Sequence, residues 1–162
     1  MENVPYIISS DDPNSHFIYD MYHKDVFWFQ MRDYWKDLFF ALSKRKCDFL
    51  DFLPKFFHSN FMHNCDRRNP FYTGRVWIRI LDDLEKEGIF IKTVDEPIIG
   101  LFLSRWVADF YASFTHYRKL EGHVVDDAYP IKNLLSIFPG IHDKPIPIIV
   151  QELPIDAKPL FP

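Results

Sequence analysis

Residues 73–93 read TGRVWIRILDDLEKEGIFIKT, and this stretch decides the fold. Val76, Trp77, Ile80, Leu81 and Leu84 recur at helical spacing. At 100° per residue they fall within an arc of roughly 140°, which makes one apolar face. Arg75, Arg79, Asp82 and Lys86 project from the other side. Thr73 stands where a hydroxyl can accept a bond from an orphan amide of the first turn. Gly88 supplies the left-handed residue that commonly closes a helix. Ile89, Phe90 and Ile91 are strand formers, Lys92-Thr93-Val94 extends them, and Asp95-Glu96-Pro97 breaks the run. The pattern predicts a capped helix from Thr73 to Glu87, a glycine stop and a short strand over 89–93.

Upstream, Phe27, Trp28, Met31, Tyr34, Trp35, Leu38, Phe39 and Leu42 recur at three- and four-residue steps. They predict a well-buried helix across roughly Asp25–Ser43. Lys44, Arg45 and Lys46 then place positive charge at the negative end of its dipole. Asp48 is positioned to cap a short second helix through Phe49, Leu50, Phe52, Leu53 and Phe56, with Pro54 an awkward interior residue unless that helix begins near Phe52. HSNFMHNCDRRNPFY, from His58 to Tyr72, reads as a long polar loop with a turn at Asn69-Pro70. At the start of the chain, SSDDPNS is turn chemistry, and Tyr19, Tyr22 and His23 are placed to pack that segment back on the rest.

Downstream, Pro97 suits the first turn of a long helix over 97–122 that stops near Gly122. Ile99, Phe102, Leu103, Trp106, Val107, Phe110, Phe114 and Tyr117 give it a broad apolar face, fit for a core or a dimer contact. A short helix from Ile131 to Phe138 ends at Pro139-Gly140. The remaining proline-spaced aliphatics, PIPIIVQELPIDAKPLFP, predict an extended tail over 139–162 or an edge strand. At 162 residues the chain is expected to form one domain, with a helical part over 24–94 ahead of the long helix and the tail. The fold class is mainly α with a small β component.

No apolar run reaches the length of a membrane span, and MENVPYIISSDD lacks a basic region followed by an apolar one. A soluble, unexported protein is expected. Cys47 and Cys65 make no disulfide framework, so a reducing cytoplasm is the default compartment. The net charge of −4 is unevenly spread. Residues 1–30 carry −4, residues 31–80 carry +5 and residues 81–162 carry −5. A basic middle between acidic ends is what a local polyanion site requires.

A first helix reaching Leu42, a second over about Phe49–Phe57, a third over Thr73–Glu87 and a strand over Ile89–Thr93 stand in the order of a winged helix. RILDDLEKEGIF is similar to the end of the recognition helix and the first wing strand of many bacterial winged-helix regulators. The resemblance covers about residues 34–94 of the 162. It implies that the third helix enters a DNA groove, with Arg75 and Arg79 meeting bases or phosphates. It makes Lys44, Arg45, Lys46, Arg67 and Arg68 the backbone-contacting set, and it places Thr73 with them among the nucleic-acid-binding residues. The 97–122 helix would then join two copies, and two-fold symmetry would set half-site spacing. The plain structural reading is that Arg75 and Arg79 are a solvated face pairing with Asp82 or Asp83.

Two further groups carry chemistry-bearing side chains. Cys47, His58, His63 and Cys65 are all zinc-competent, but C-x10-H-x4-H-x-C lacks the tight pairs of structural zinc sites, so buried thiols and loop histidines are the expectation. His116, Glu121, His123, Asp126 and Asp127 combine histidine with carboxylates, the residue types of metal ligation or acid–base work, yet EGHVVDD also reads as a polar helix end and turn. No phosphate-binding glycine loop, nucleophile elbow, H-E-x-x-H or dinucleotide fingerprint is present. The sequence therefore points to a non-enzymatic DNA-binding regulator without metal or cofactor. The second expectation is a small acidic protein of the immunity-protein, antitoxin or phage-inhibitor type, which binds a protein target. The aromatic excess suits an interface, and IPIIV suits strand addition to a partner's sheet.

Overall fold

The computed structural model describes residues 28–160, so the expected turn at SSDDPNS, the packing of Tyr19, Tyr22 and His23, and the start of the first helix at Asp25 lie outside the described residues. Among the described residues the chain is mainly helical. The helices are α1 (Trp28–Lys44), α2 (Phe49–Phe57), α3 (Asn60–Asp66), α4 (Pro70–Thr73), α5 (Trp77–Lys86), α6 (Leu101–Arg118), α7 (Gly122–Ala128), α8 (Ile131–Ile141) and α9 (Ile146–Glu152). No helix among them is long and apolar enough to cross a membrane.

The centre is the pair α1 and α6, with α9 packed on α6 and with α7 packed against both α6 and α2. Trp28, Met31, Trp35, Leu38, Phe39 and Leu42 of α1 are buried, as their spacing requires. Trp28 donates its indole N–H to the Ala112 carbonyl at 3.3 Å, which fixes α1 against α6 across 84 residues. Asp48 does cap α2, accepting from the Asp51 amide. That helix runs from Phe49 with Pro54 inside it, and Pro54 is on the exposed side, where solvent can serve the carbonyl its missing amide leaves unpaired.

The 97–122 helix is shorter than expected, Leu101–Arg118. Residues 97–100 are held to α1 instead: Ile99 is buried, and its carbonyl accepts from Ser43 Oγ at 2.8 Å. Lys119, in the left-handed region at φ 54°, ends the helix before Gly122 is reached. Val107, Phe110, Tyr111 and Phe114 are wholly buried, so the aromatic surface of this helix is core. Its exposed apolar remainder is Leu101 and Phe102 at the first turn and Tyr117 near its end.

Five expectations are corrected. The loop over 58–72 contains α3 and α4, each with a side-chain cap: Ser59 accepts from the Met62 amide, and Asn69 accepts from the Phe71 amide with Pro70 in the first turn. Thr73 is not an N-cap. It is the last residue of α4, buried, with a hydroxyl that has no hydrogen-bond partner among the described residues, and α5 begins only at Trp77 behind an uncapped Val76. No wing strand forms among the described residues, because 89–93 finds no sheet to join. It pairs at a single antiparallel bridge, Cys47 with Thr93, flanked by Asp48 N–H to Lys92 O and Val94 N–H to Lys46 O, both at 2.8 Å. The tail is helical over 146–152, since Pro145 and Pro147 fall at the start of α9 where a missing amide does no harm. Pro139 likewise lies within α8 rather than ending it.

Gly88 behaves as expected. At φ 83° it closes α5, with the Ile89 amide returning to the Leu84 carbonyl at 2.9 Å in the Schellman pattern. Gly122 matters for a different reason. A Cβ there would stand 2.7 Å from Met62 Sδ and 3.0 Å from Phe57 Cδ1. Gly122→Ala is therefore expected to destabilise by about 1–3 kcal/mol through overpacking. Thermal denaturation checks it, and an unchanged midpoint would mean that Met62 swings aside freely.

Arg118 anchors the end of the described chain. Its guanidinium donates to the carbonyls of Val150 at 3.0 Å and Leu153 at 2.8 Å, at the C-terminus of α9 where a cation is favoured.

Candidate functional site

The basic residues of the middle region divide by what they touch. Lys44 and Arg45 leave the end of α1, with Lys44 over the Phe40 ring at 4.9 Å and Arg45 over the Trp77 ring at 5.2 Å. Lys46 is exposed in the left-handed region at φ 58°. Arg67 is exposed beyond α3, whereas Arg68 is half-buried and donates to the Thr115 carbonyl of α6 at 3.4 Å. Arg75 lies outside α5 altogether. Its Nε approaches Asp83 Oδ2 at 3.1 Å, an ion pair whose angle falls short of a hydrogen bond, and its guanidinium lies over Phe71 and Tyr72. Arg79 is exposed on α5 and makes no ion pair among the described residues. The pairing of Arg75 with Asp83 is the plain structural alternative to a DNA contact.

The acidic half of α5 has internal work as well. The Glu87 carboxylate accepts from the amides of Asn60 at 2.7 Å and Phe61 at 3.0 Å, so it caps the N-terminus of α3 beside Ser59. Those two bonds tie the residue that ends α5 to the start of α3.

Where Arg45 meets Trp77, the surface opens into two adjoining hollows of about 350 Å³ each. The first is lined by Asp37, Phe40, Ala41, Lys44, Arg45 and Trp77. The second runs between α5 and the 89–91 segment, with Trp77, Ile78, Leu81, Ile89, Phe90 and Ile91 as its apolar lining and Arg45, Asp82 and Glu85 as its charged members. Ile78 is 55% exposed and Phe90 59% exposed, although both side chains are large and apolar. The segment carrying Phe90 is fixed by the bridge to Cys47 and by Lys92, whose ammonium is 3.4 Å from Asp51 of α2. The two ends of the predicted helix–strand stretch thus do form one surface, although the strand itself is absent.

A second site joins halves of the two groups that the sequence kept apart. His58, at the end of α2, brings Nε2 to 3.4 Å from Asp127 Oδ1 on α7. His58, Asp126 and Asp127 each place a ligand-type atom within 4.8 Å of the others. The His123 ring lies 5.2 Å from that of His58, and its Nδ1 is 3.9 Å from Asp127 Oδ2. Glu121 contacts His123 Nε2. Asp126 is buried, and loss of solvent, reinforced by the Asp127 charge, pushes its carboxyl up to about 6. His116 does not join: it stacks on Trp28 at 4.2 Å. The other zinc-competent group disperses too. Cys47 and Cys65 are buried free thiols, pushed upward by burial, and His63 is exposed on α3.

Beside α7, Asp66 is buried at the end of α3 and accepts from the Gly122 amide at 3.0 Å. Burial pushes its carboxyl up to about 7, against the pull of that amide. No sequence signal marks it, because its partner stands 56 residues away.

No family model matches the chain, and no curated protein or solved structure matches it at a meaningful level. What the geometry defines is a mainly α-helical protein with an open, partly apolar face at Trp77 and a histidine–carboxylate cluster between α2 and α7.

Proposed function

We propose that the protein is a non-enzymatic binding module whose partner is another protein, taken up at the Trp77 face. The observation that carries this is the exposure of Ile78 and Phe90 beside a hollow floored by Trp77 and Leu81, with Arg45, Asp82 and Glu85 on its rim. Exposed aromatic and aliphatic anchors around a concave surface are the usual core of a protein contact, and a rim of both signs suits a partner of mixed charge. A phosphate backbone calls instead for uninterrupted positive charge. Of the residues expected on DNA, Arg75 faces Asp83 and Arg68 faces Thr115, while Arg45 stacks on Trp77. The acidic balance of the chain fits the inhibitor type of partner-binding protein better than a nucleic-acid regulator.

The test pairs two measurements. Affinity purification from the native cells, followed by direct binding of the recovered protein, is compared between wild type and Ile78→Asp/Phe90→Asp. Both side chains are exposed, so folding is expected to change by no more than about 0.5 kcal/mol each. The double variant is expected to lose the partner by at least about a hundredfold, as for a disrupted anchor pair. In parallel, duplex DNA is titrated at low and moderate salt against wild type and Arg45→Ala/Arg79→Ala. Steeply salt-dependent binding lost in that variant would overturn the protein-binding reading in favour of DNA.

A further inference from the structure

We propose that His58, Asp126 and Asp127, completed by His123, bind a divalent first-row transition-metal ion between α2 and α7. The donors come from two places that the chain brings together: the residue ending α2, and the last turn of the short helix α7. His58 Nε2 and Asp127 Oδ1 face each other at 3.4 Å, and the three ligand-type atoms lie within 4.8 Å of one another. Around a zinc ion with bonds near 2.0–2.1 Å, tetrahedral ligands stand roughly 3.4 Å apart. Closing the set therefore takes about an ångström of side-chain rotation, and His58 and Asp127 are the members exposed enough to provide it.

Asp126 is the fixed point and the stronger indication. It is only 4% exposed, and its charged neighbours are Asp127 and His58. A largely buried carboxylate beside a second carboxylate is favoured where a cation can meet both. Here it lies within 4.8 Å of a histidine nitrogen and a second carboxylate. A cation at that point would offset the two neighbouring negative charges.

His123 has the orientation of a supported metal ligand. Glu121 contacts its Nε2, and with the ring proton on that nitrogen Nδ1, 3.9 Å from Asp127 Oδ2, is the atom left to bind a metal. A carboxylate behind a histidine is the common outer partner of metal-bound imidazole. Two nitrogens with two carboxylate oxygens form a borderline donor set, suited to zinc, cobalt or nickel rather than to magnesium or calcium, which take oxygen. The alternative is that His58–Asp127 and His123–Glu121 are surface ion pairs and nothing more.

The experiment uses the full chain, stripped with a chelator and returned to chelator-free buffer. Zinc chloride is titrated calorimetrically, and cobalt(II) is followed by its visible absorption. Wild type is expected to bind one ion per chain, show the strong visible bands of low-coordinate cobalt, and rise in Tm with zinc but not with magnesium. The variant His58→Ala/Asp127→Asn changes two exposed side chains and should fold. It is expected to lose the stoichiometric binding, the bands and the Tm rise together. Glu121→Gln, which touches no metal, is expected to weaken binding by roughly 10–100-fold. Wild type without stoichiometric zinc binding would overturn the proposal, as would binding that survives in His58→Ala/Asp127→Asn.

Discussion

Phe56→Ala is expected to destabilise the protein by about 3–5 kcal/mol, the range for removing a large aromatic side chain from a closed core. Phe56 is completely buried, and its ring lies 5.4 Å from Trp35, 6.0 Å from Phe39 and 6.0 Å from Phe61 between centroids. These belong to α1 and α3, while Phe52 and Phe57 flank it on α2. One side chain thus connects three helices, and alanine would leave a void that none of the neighbouring rings can enter without leaving its own rotamer. Urea denaturation measures the effect as a lowered midpoint at unchanged slope. Phe102→Ala is the comparison, because Phe102 is 90% exposed and should cost less than about 0.5 kcal/mol. Equal effects from the two variants would show that the aromatic cluster around Phe56 is not the core.

Asp66→Asn is expected to stabilise the protein above pH 7 and to make no difference near pH 4. The Asp66 carboxyl is raised from 3.8 to about 7, chiefly by burial. The folded protein therefore holds a proton that the unfolded chain has released between those values. Stability from this group is fully present below pH 4 and is lost as the pH rises through 7. Three units correspond to roughly 4 kcal/mol, an order-of-magnitude figure. Asparagine keeps an oxygen for the Gly122 amide, bonded at 3.0 Å, and never carries the charge. Asp126, raised to about 6, acts in the same direction over pH 4–6, so the wild-type slope should flatten but not vanish in the variant. Denaturation midpoints from pH 4 to pH 9, measured with chelator present, decide the matter. A variant less stable than wild type at pH 8 would mean that the ionised carboxylate is favoured where it sits.

Much of the helical core was legible because apolar spacing and caps agree. The steps from Trp28 to Leu42 place buried residues on one face of α1, and Asp48 marks the start of α2. Gly88 stops α5 as its chemistry requires. Other signals were present but carried less weight than the polar composition around them. Ser59 and Asn69-Pro70 are ordinary helix starts inside a stretch that reads as loop, and Pro145 reads as a breaker although it introduces α9. The strand over 89–93 failed for the opposite reason. Ile89, Phe90 and Ile91 have the propensity, but strand propensity expresses packing against a neighbouring strand, and among the described residues only Cys47 offers a pairing.

The candidate sites were less legible than the fold. His58 and Asp127 are 69 residues apart, so no local spacing announces their meeting. His116 and His123, close in sequence, part company because the first lies on α6 against Trp28 and the second on α7 beside Glu121. The exposure of Ile78 also depends on which face of α5 the core covers: Ile80 and Leu84 go inward, and Val76 does not.

The pairing of α1 with α6 has a consequence for how the chain is made. On a ribosome adding 5–20 residues per second, the residues between Lys44 and Leu101 take roughly 3–11 seconds to appear. During that interval α1 can gather α2, whose phenylalanines are close in sequence, but the surface that Trp28 gives to Ala112 has no cover. The nascent chain therefore carries an aromatic flank in the open until its second half arrives. The slow event in folding is expected to be the closure of that long loop, not the formation of any single helix.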